Sequence, residues 1–434
     1  MKTIRSTRRA TMPVALVVGA LAVTGCAGGA SPGTDEGDAS DTLTVWFPGS
    51  SQPEIELVTE TLVPQFEEET GIDVEVTFVD WGDLAPKLNS AFAAGTAPDV
   101  FGHGPAAAAD LAANDRVMSL DDFVAEMPQE EQADLSAALT GGQVDGTQYL
   151  MPLSISGQLI AYRADLLAEA GVDPEGIASW DDLYAAAEAL TVREGDRITR
   201  AGVLLGTAAI QRSLTFNALI SAAGGELMSA DGSTSEFAGP EGVEALTYFT
   251  DLYNGEDAVA DNLGNDYLNS APAEQPLTTG AAAMTLLTSQ AVSQIVAANP
   301  DLEIGVLPAL EFSQPAAFGG AGAGLFINAD TAAPDAAWDF IEFMTSSEIS
   351  TAYAEGTGTI PIRASAADSE YVQSSPIVQA FLGQVENFVP NPNVVSWTQI
   401  RDVLDTYLEQ ALAGVATPQE ALDGAAEQVA GIVG

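Results

Sequence analysis

Across 434 residues the sequence carries one cysteine, Cys26, and one histidine, His103. A single thiol closes no intramolecular disulfide. A single imidazole excludes a multi-histidine zinc site, and it leaves no Ser-His-Asp arrangement that does not use His103 itself. Basic residues are scarce as well: 13 Lys and Arg stand against 62 Asp and Glu, for a formal net charge of −49. Such a chain is repelled by nucleic acid and by anionic headgroups, so no nucleic-acid partner is expected. There is no Gly-Lys pair for a phosphate-binding loop, and the glycine cluster "FGGAGAG" (318–324) lacks the dinucleotide spacing. The sequence calls for no metal and no cofactor, and no nucleophile-base pair marks a catalytic centre. Carboxylates are plentiful, so a secreted glycosidase working with two acids stays open as an alternative.

The N-terminal 25 residues have the layout of a secretory signal peptide. Lys2, Arg5, Arg8 and Arg9 precede the apolar run "ATMPVALVVGALAVTG", which contains Pro13 and falls short of the about 18 uninterrupted apolar residues that span a bilayer. The next residues, Val23-Thr24-Gly25-Cys26, resemble the bacterial lipobox, in which the chain is cut before a cysteine that carries a diacylglycerol. That resemblance makes Cys26 a lipidated membrane tether on the outer face of the cell membrane; a small buried cysteine is the alternative. Thr7-Arg8-Arg9 leaves general and twin-arginine export both open. Residues 26–41, with "AGGASPGTDEGDAS" at 27–40, read as the lipidated cysteine and a flexible linker.

Without residues 1–25 the chain has about 409 residues, too many for one compact core, which points to two lobes. Four of the cations leave with that segment and no acid does, so nine Lys and Arg remain. The full sequence is 47% hydrophobic, enough to fold, so the acidity reads as a solvated surface. "DTLTVWFPG" (41–49) alternates as a strand. "EIELVTETLVPQFEEETG" (54–71) has helical spacing closed by Gly71, and "IDVEVTFVDW" (72–81) alternates again. A helix over "DLAPKLNSAFAAG" and the short run "DVFG" complete a β-α-β-α-β unit. Ligands of such sheets gather beyond the strands' carboxyl ends, here "FPGSS", "VDWGD" and "GHGPA".

The ordered series "WFPGSS", "FEEETGIDVEVTFVDW", "AFAAGTAPDVF", "YLMPLSISGQLIAYRADLL", "SWDDLYAAAEAL", "LISAAGGEL", "GAAAMTLLTS", "IGVLPAL" and "SWTQIRDVLDTYLEQALAG" resembles the extracellular solute-binding proteins typified by maltose-binding protein. The likeness runs along nearly the whole chain after the signal. It implies an α/β, periplasmic-binding-protein-like fold: two lobes joined by a multi-crossing hinge, with the ligand cleft between them. The lobes are expected at 42–155 with 320–361, and at 156–319 with 362–434. The crossings are expected after Pro152, at 316–324 and at 358–365. The function implied is that of a monomeric, membrane-tethered binding component of an ABC importer. It captures a sugar without chemistry and docks on the transmembrane permease subunits. An amino acid, a polyamine, another small polar solute or ferric iron are the rival ligands.

A sugar site combines aromatic faces, which suit patches of C–H, with hydroxyl-binding polar groups. Of the five tryptophans, Trp180 and Trp338 fall on apolar helix faces and read as core, as does Trp46 within the first strand. Trp81 opens a turn at a strand's carboxyl end. Trp397 opens a helix at a position where the family carries an aromatic platform, although a packing role as a hydrophobic staple is the alternative. The polar candidates are Ser50, Ser51, Asp99 and His103 in the first lobe. In the second they are Arg212 and Asn217 at a helix start, with Gln290, and the aromatic Phe216 on the same turn is a further candidate. After "GAAAM" the family's sugar-touching Gly and Trp are absent here, so Gln290 and Ser289 are expected to serve in their place.

Overall fold

The computed structural model describes residues 42–268 and 270–434; the export segment, Cys26 and the 27–40 leash lie outside the described residues. The chain opens with strands β1 (Thr42–Pro48), β2 (Asp73–Val79) and β3 (Val100–His103), separated by helices. A hairpin of β4 (Gln143–Val144) and β5 (Thr147–Gln148) precedes β6 (Met151–Pro152) and the long β7 (Ile155–Arg163). Then come β8 (Val192–Glu194), β9 (Arg197–Leu204), β10 (Ala282–Thr288), β11 (Ile304–Val306), β12 (Ala317–Ala321), β13 (Gly324–Ile327) and β14 (Phe388–Val389).

Apart from the β4–β5 hairpin, the strands of the described residues divide into two sheets. One is ordered β2-β1-β3-β13-β6, the other β14-β12-β7-β10-β9-β8, with β11 also pairing β7. In the first, β1 runs parallel to β2 and β3, the consequence of helical crossovers between them. The first crossover helix ends at Gly71, whose φ of 77° is the left-handed conformation that glycine accepts without a Cβ clash.

Both faces of the first sheet are covered, as alternation along each strand requires. Val45, Phe47, Val100, Leu325 and Ile327 pack with Phe66, Trp338 and Phe340 on one side. Phe101, Phe326 and Leu150 pack with Leu84 and Leu88 on the other. The second sheet buries Leu159, Val203 and Met284 with Phe216, Phe249, Trp397 and Leu404. Trp180 and Trp338 are 3% and 7% exposed, the core positions their helix faces predicted.

The two sheets are tied where the chain passes between them. The Leu153 amide donates to the Ala323 carbonyl (2.9 Å) and the Gly322 amide to Ser154 (2.8 Å), so the β6–β7 and β12–β13 passages are bonded side by side. The Ile155 amide donates to Ile360 (2.9 Å), which adds a third strand of chain. Gly157 and Gly319 face each other in register, and a Cβ on either would collide with the ring of Phe388. Glycine is required here because an aromatic ring lies directly on the backbone of the crossing strands.

Candidate functional site

The carboxyl ends of β1, β2 and β3 meet at one edge of the first sheet. Gly49, with φ of 112°, turns the chain after β1, and its amide donates to Val79 at the end of β2 (2.7 Å). The Ser50 hydroxyl reaches Asp80 Oδ2 (3.2 Å), while Asp80 Oδ1 accepts from the Gly82 amide (2.9 Å) and caps the helix Trp81–Ala94. That cap holds the start of the helix, so Trp81 projects from it 51% exposed. Its ring meets His103 edge to face at 6.1 Å between centroids. Ser50, Trp81 and His103 are therefore brought together, and Ser51 stands beside them, half-buried, before the helix Gln52–Leu57.

Asp99 is not part of this edge. It precedes β3 instead of ending it, at the opposite end of the sheet, where Oδ2 accepts from the Thr44 amide (3.0 Å) and hydroxyl (2.6 Å) and Oδ1 from Thr331 (2.6 Å). Burial alone would raise this carboxyl, but the hydrogen bonds from Thr331 and Thr44 outweigh it and hold it below the usual value. Asp99 joins strands and is withdrawn as a ligand contact.

The facing edge belongs to the second sheet, where β9 and β10 end and β7 begins. Arg212 is here but is spent on structure. At 7% exposure its Nε donates to the Asp405 carbonyl (3.1 Å) and Nη1 to Thr207 (3.0 Å), while Nη2 donates to Asp405 (2.7 Å) and Glu409 (2.8 Å). Phe216 is fully buried in the core of this half, and the Asn217 side chain is 3% exposed and donates to the Pro390 carbonyl (3.0 Å). All three expectations are corrected alike, because every residue of the helix Gln211–Ala222 after Gln211 is buried. Gln290 stays half-buried at the start of the helix Ser289–Ala298, whereas Ser289 is 2% exposed.

Trp397 opens the helix Trp397–Leu412 as expected, yet it is 2% exposed, packed within the second half's core, with its Nε1 unpaired. It is enclosed and not an open platform. The turn Pro105–Ala107, which follows β3, lies against this helix. Arg401, one helical turn further along, was not singled out in the sequence, although an i, i+4 neighbour of a candidate shares its face. Its charge reaches His103, whose imidazole is held below its ordinary value of 6.5 first by burial and further by Arg401.

Other residues at the edge were also missed. Gln158, a lone amide in an apolar strand, is 5% exposed and donates from Nε2 to Gln211 Oε1 (3.2 Å). Ile210 adopts a φ of 70° and is 44% exposed, its amide held by Asp405 Oδ1 (3.1 Å). The two edges touch through the segment before Trp397. The Ser396 amide donates to Asp110 (2.7 Å), Asn393 Oδ1 accepts from the Ala109 amide (3.0 Å), and Asn393 Nδ2 donates to the Gln143 carbonyl (2.8 Å).

The arrangement brings an exposed aromatic ring, hydroxyls, neutral amides and the Arg401 guanidinium, itself paired with Asp402 (2.9 Å), to the edges of the two sheets. Among the described residues no group of three or more His, Cys, Asp and Glu is placed to hold a metal ion. A cavity of about 480 Å³ lined by Asp181, Tyr184, Tyr248 and Asp251 lies elsewhere, between two helices of the second half.

The family of bacterial extracellular solute-binding proteins matches residues 49–350. Among solved structures, an ABC transporter solute-binding protein from Thermotoga lettingae bound with alpha-D-tagatose is similar, with a TM-score of 0.78 and 25% identity over 91% of this chain and 100% of that one. The cyclic alpha-maltosyl-1,6-maltose binding protein of Arthrobacter globiformis gives a TM-score of 0.73 and 27% identity over 90% and 98%. The sn-glycerol-3-phosphate-binding periplasmic protein UgpB of Escherichia coli is 24% identical over 90% of this chain and 93% of its own length.

Proposed function

The chain belongs to the bacterial extracellular solute-binding proteins, and from that premise we propose that it captures a mono- or short oligosaccharide for an ABC importer. The observation that carries the ligand class is the Trp81–His103 ring pair at the edge of one sheet, within reach of the Arg401 charge, with the Gln158–Gln211 amides at the edge of the other. A pyranose lays its C–H face on an aromatic ring and offers hydroxyls to amides and guanidinium around it. An anionic ligand such as a phosphate ester would enter a chain of net charge −49 with one cation at this edge, which disfavours it.

The mechanism is capture by population shift. A ligand touching both edges favours the arrangement in which they meet, and that arrangement docks on the permease. The lobes are taken as 42–155 with 320–361 and 156–319 with 362–434, except that residues 362–365 go with the first, since Ile362 packs in its core and Arg363 pairs there with Glu131 and Asp134. Opening takes place about the bonded passages at 151–157 and 317–327 with Ile360. No turnover accompanies binding. The mature chain begins at Cys26, whose diacylglycerol tethers a monomer to the outer face of the cell membrane.

A thermal-shift screen of residues 27–434 against sugars, amino acids, spermidine and sn-glycerol-3-phosphate tests this reading, because a ligand of the folded state raises its melting temperature by mass action. Sugars are expected to give the shift and to be recovered intact afterwards. A shift with amino acids alone, or steady release of cleaved sugar, contradicts it. Cys26→Ser is expected to move the full chain from the membrane to the soluble fraction.

A further inference from the structure

Gln158 occupies an unusual position for an amide. It lies in β7 opposite Thr288, the last residue of β10, so its Cα sits at the edge of the sheet where β9 and β10 end. Its neighbours along the strand, Leu159 and Ile160, are core. The side chain is 5% exposed; its Nε2 is engaged by Gln211, and its Oε1 has no partner. Exchanging the two ends of both amides preserves the Gln158–Gln211 bond and again leaves one end of Gln158 free.

A buried polar atom left unpaired is destabilising, and such atoms in native proteins ask for an explanation. Packing does not supply one, since an apolar side chain of the same length would fill this place without the cost. Gln211 fixes one end of the amide and so aims the other. Gln211 is also the first residue of its helix, beside the exposed Ile210, at the part of the second half that borders the candidate cleft.

We propose that Gln158 is a specificity-determining residue: the free end of its amide, oriented by Gln211, bonds a hydroxyl of the captured sugar. This rests on the functional reading above. A hydroxyl is the group that fits, because it donates and accepts and therefore satisfies either end of the amide. An ionised carboxylate or phosphate only accepts and an ammonium only donates, so neither matches both. A site built on a buried hydrogen-bonding group rejects ligands that lack the matching group far more strongly than an apolar pocket rejects a misfit. Gln158 thus selects neutral polyols over anionic or cationic solutes.

The test uses isothermal titration of the wild-type protein and of Gln158→Met with maltose, mannobiose and D-tagatose, together with the melting temperature of each protein without sugar. Gln158→Met is expected to weaken the tightest of the three by tenfold or more while the sugar-free melting temperature stays the same or rises. Gln158→Glu, which keeps an acceptor at the free end, is expected to keep more affinity than Gln158→Met. Unchanged affinity in Gln158→Met overturns the inference and leaves the sugar-binding reading standing. A parallel loss of affinity and of sugar-free melting temperature in both variants also overturns it, because Gln158 then serves packing. A wild-type protein that binds none of the three sugars but binds an amino acid overturns the functional reading and the inference with it.

Discussion

Nη2 of Arg212 lies 2.7 Å from Oδ2 of Asp405, joining the first turn of the helix Gln211–Ala222 to the middle of the helix Trp397–Leu412. The same carboxylate accepts the Ile210 amide through its other oxygen (3.1 Å), so one ion pair sets the position of the loop, the helix start and the last-but-one helix together. Burial raises the Asp405 carboxyl and the Arg212 guanidinium opposes that rise, so removing the guanidinium leaves a buried carboxyl uncompensated.

Removing the guanidinium leaves Asp405 buried without its partner. Arg212→Ala is expected to destabilise the unliganded protein by about 3 to 5 kcal/mol. Denaturant unfolding measures this. A loss confined to sugar affinity, with unchanged stability, would restore Arg212 as a ligand residue.

Ile210 holds a φ of 70° and ψ of −49° with nearly half its surface exposed. A β-branched residue in that conformation stores strain on the order of 1 to 3 kcal/mol, maintained by the Asp405 bond to its amide. Ile210→Gly is therefore expected to raise the melting temperature, against the usual direction of a glycine substitution. A lower melting temperature would show that the conformation is unstrained.

Trp397 is 2% exposed in the core of its half. Trp397→Ala is expected to cost about 3 to 5 kcal/mol of unliganded stability, as Trp338→Ala should, whatever it does to affinity. Circular dichroism melts of the sugar-free proteins compare the two. If Trp397→Ala melts with the wild-type protein while Trp338→Ala does not, Trp397 is a ligand platform and not a packing residue.

His103 is held below 6.5 first by burial and further by Arg401 on the helix Trp397–Leu412. When the edges part, both causes weaken and the imidazole binds a proton more readily. The meeting of the edges is then opposed as pH falls below about 6.5, and fully supported above it. Sugar affinity is expected to fall from pH 7 to pH 5 in the wild-type protein and to stay flatter in His103→Gln. Equal pH profiles would remove His103 from the site.

The order of elements was legible because local rules and tertiary structure agree there. Alternation marks β1 and β2, and a left-handed glycine closes the helix between them at Gly71. The first edge was legible too, since Ser50, Trp81 and His103 follow the ends of parallel strands. The second edge was not. Arg212 carries no mark that tells a buried ion pair from a ligand clamp, because its partners Asp405 and Glu409 are almost 200 residues away. Asp99 was misread by its place in the strand, where a shift from the end to the start moves it across the whole sheet. Phe216 and Asn217 belong to a helix buried all round, whose low amphipathicity leaves no face to read. Gln158 was overlooked as a polar residue within an apolar strand, yet that mismatch is itself the signal.

Capture by closure requires a sugar to draw the two halves together. Spin labels at Lys87→Cys, on the helix Trp81–Ala94, and Asp423→Cys, on the helix Pro418–Val433, report the separation of the halves in a Cys26→Ser background. Double electron–electron resonance without and with a saturating sugar from the thermal-shift panel gives the two distance distributions. A shorter and narrower distribution is expected with sugar. A sugar that binds and leaves the distribution unchanged would contradict capture by closure.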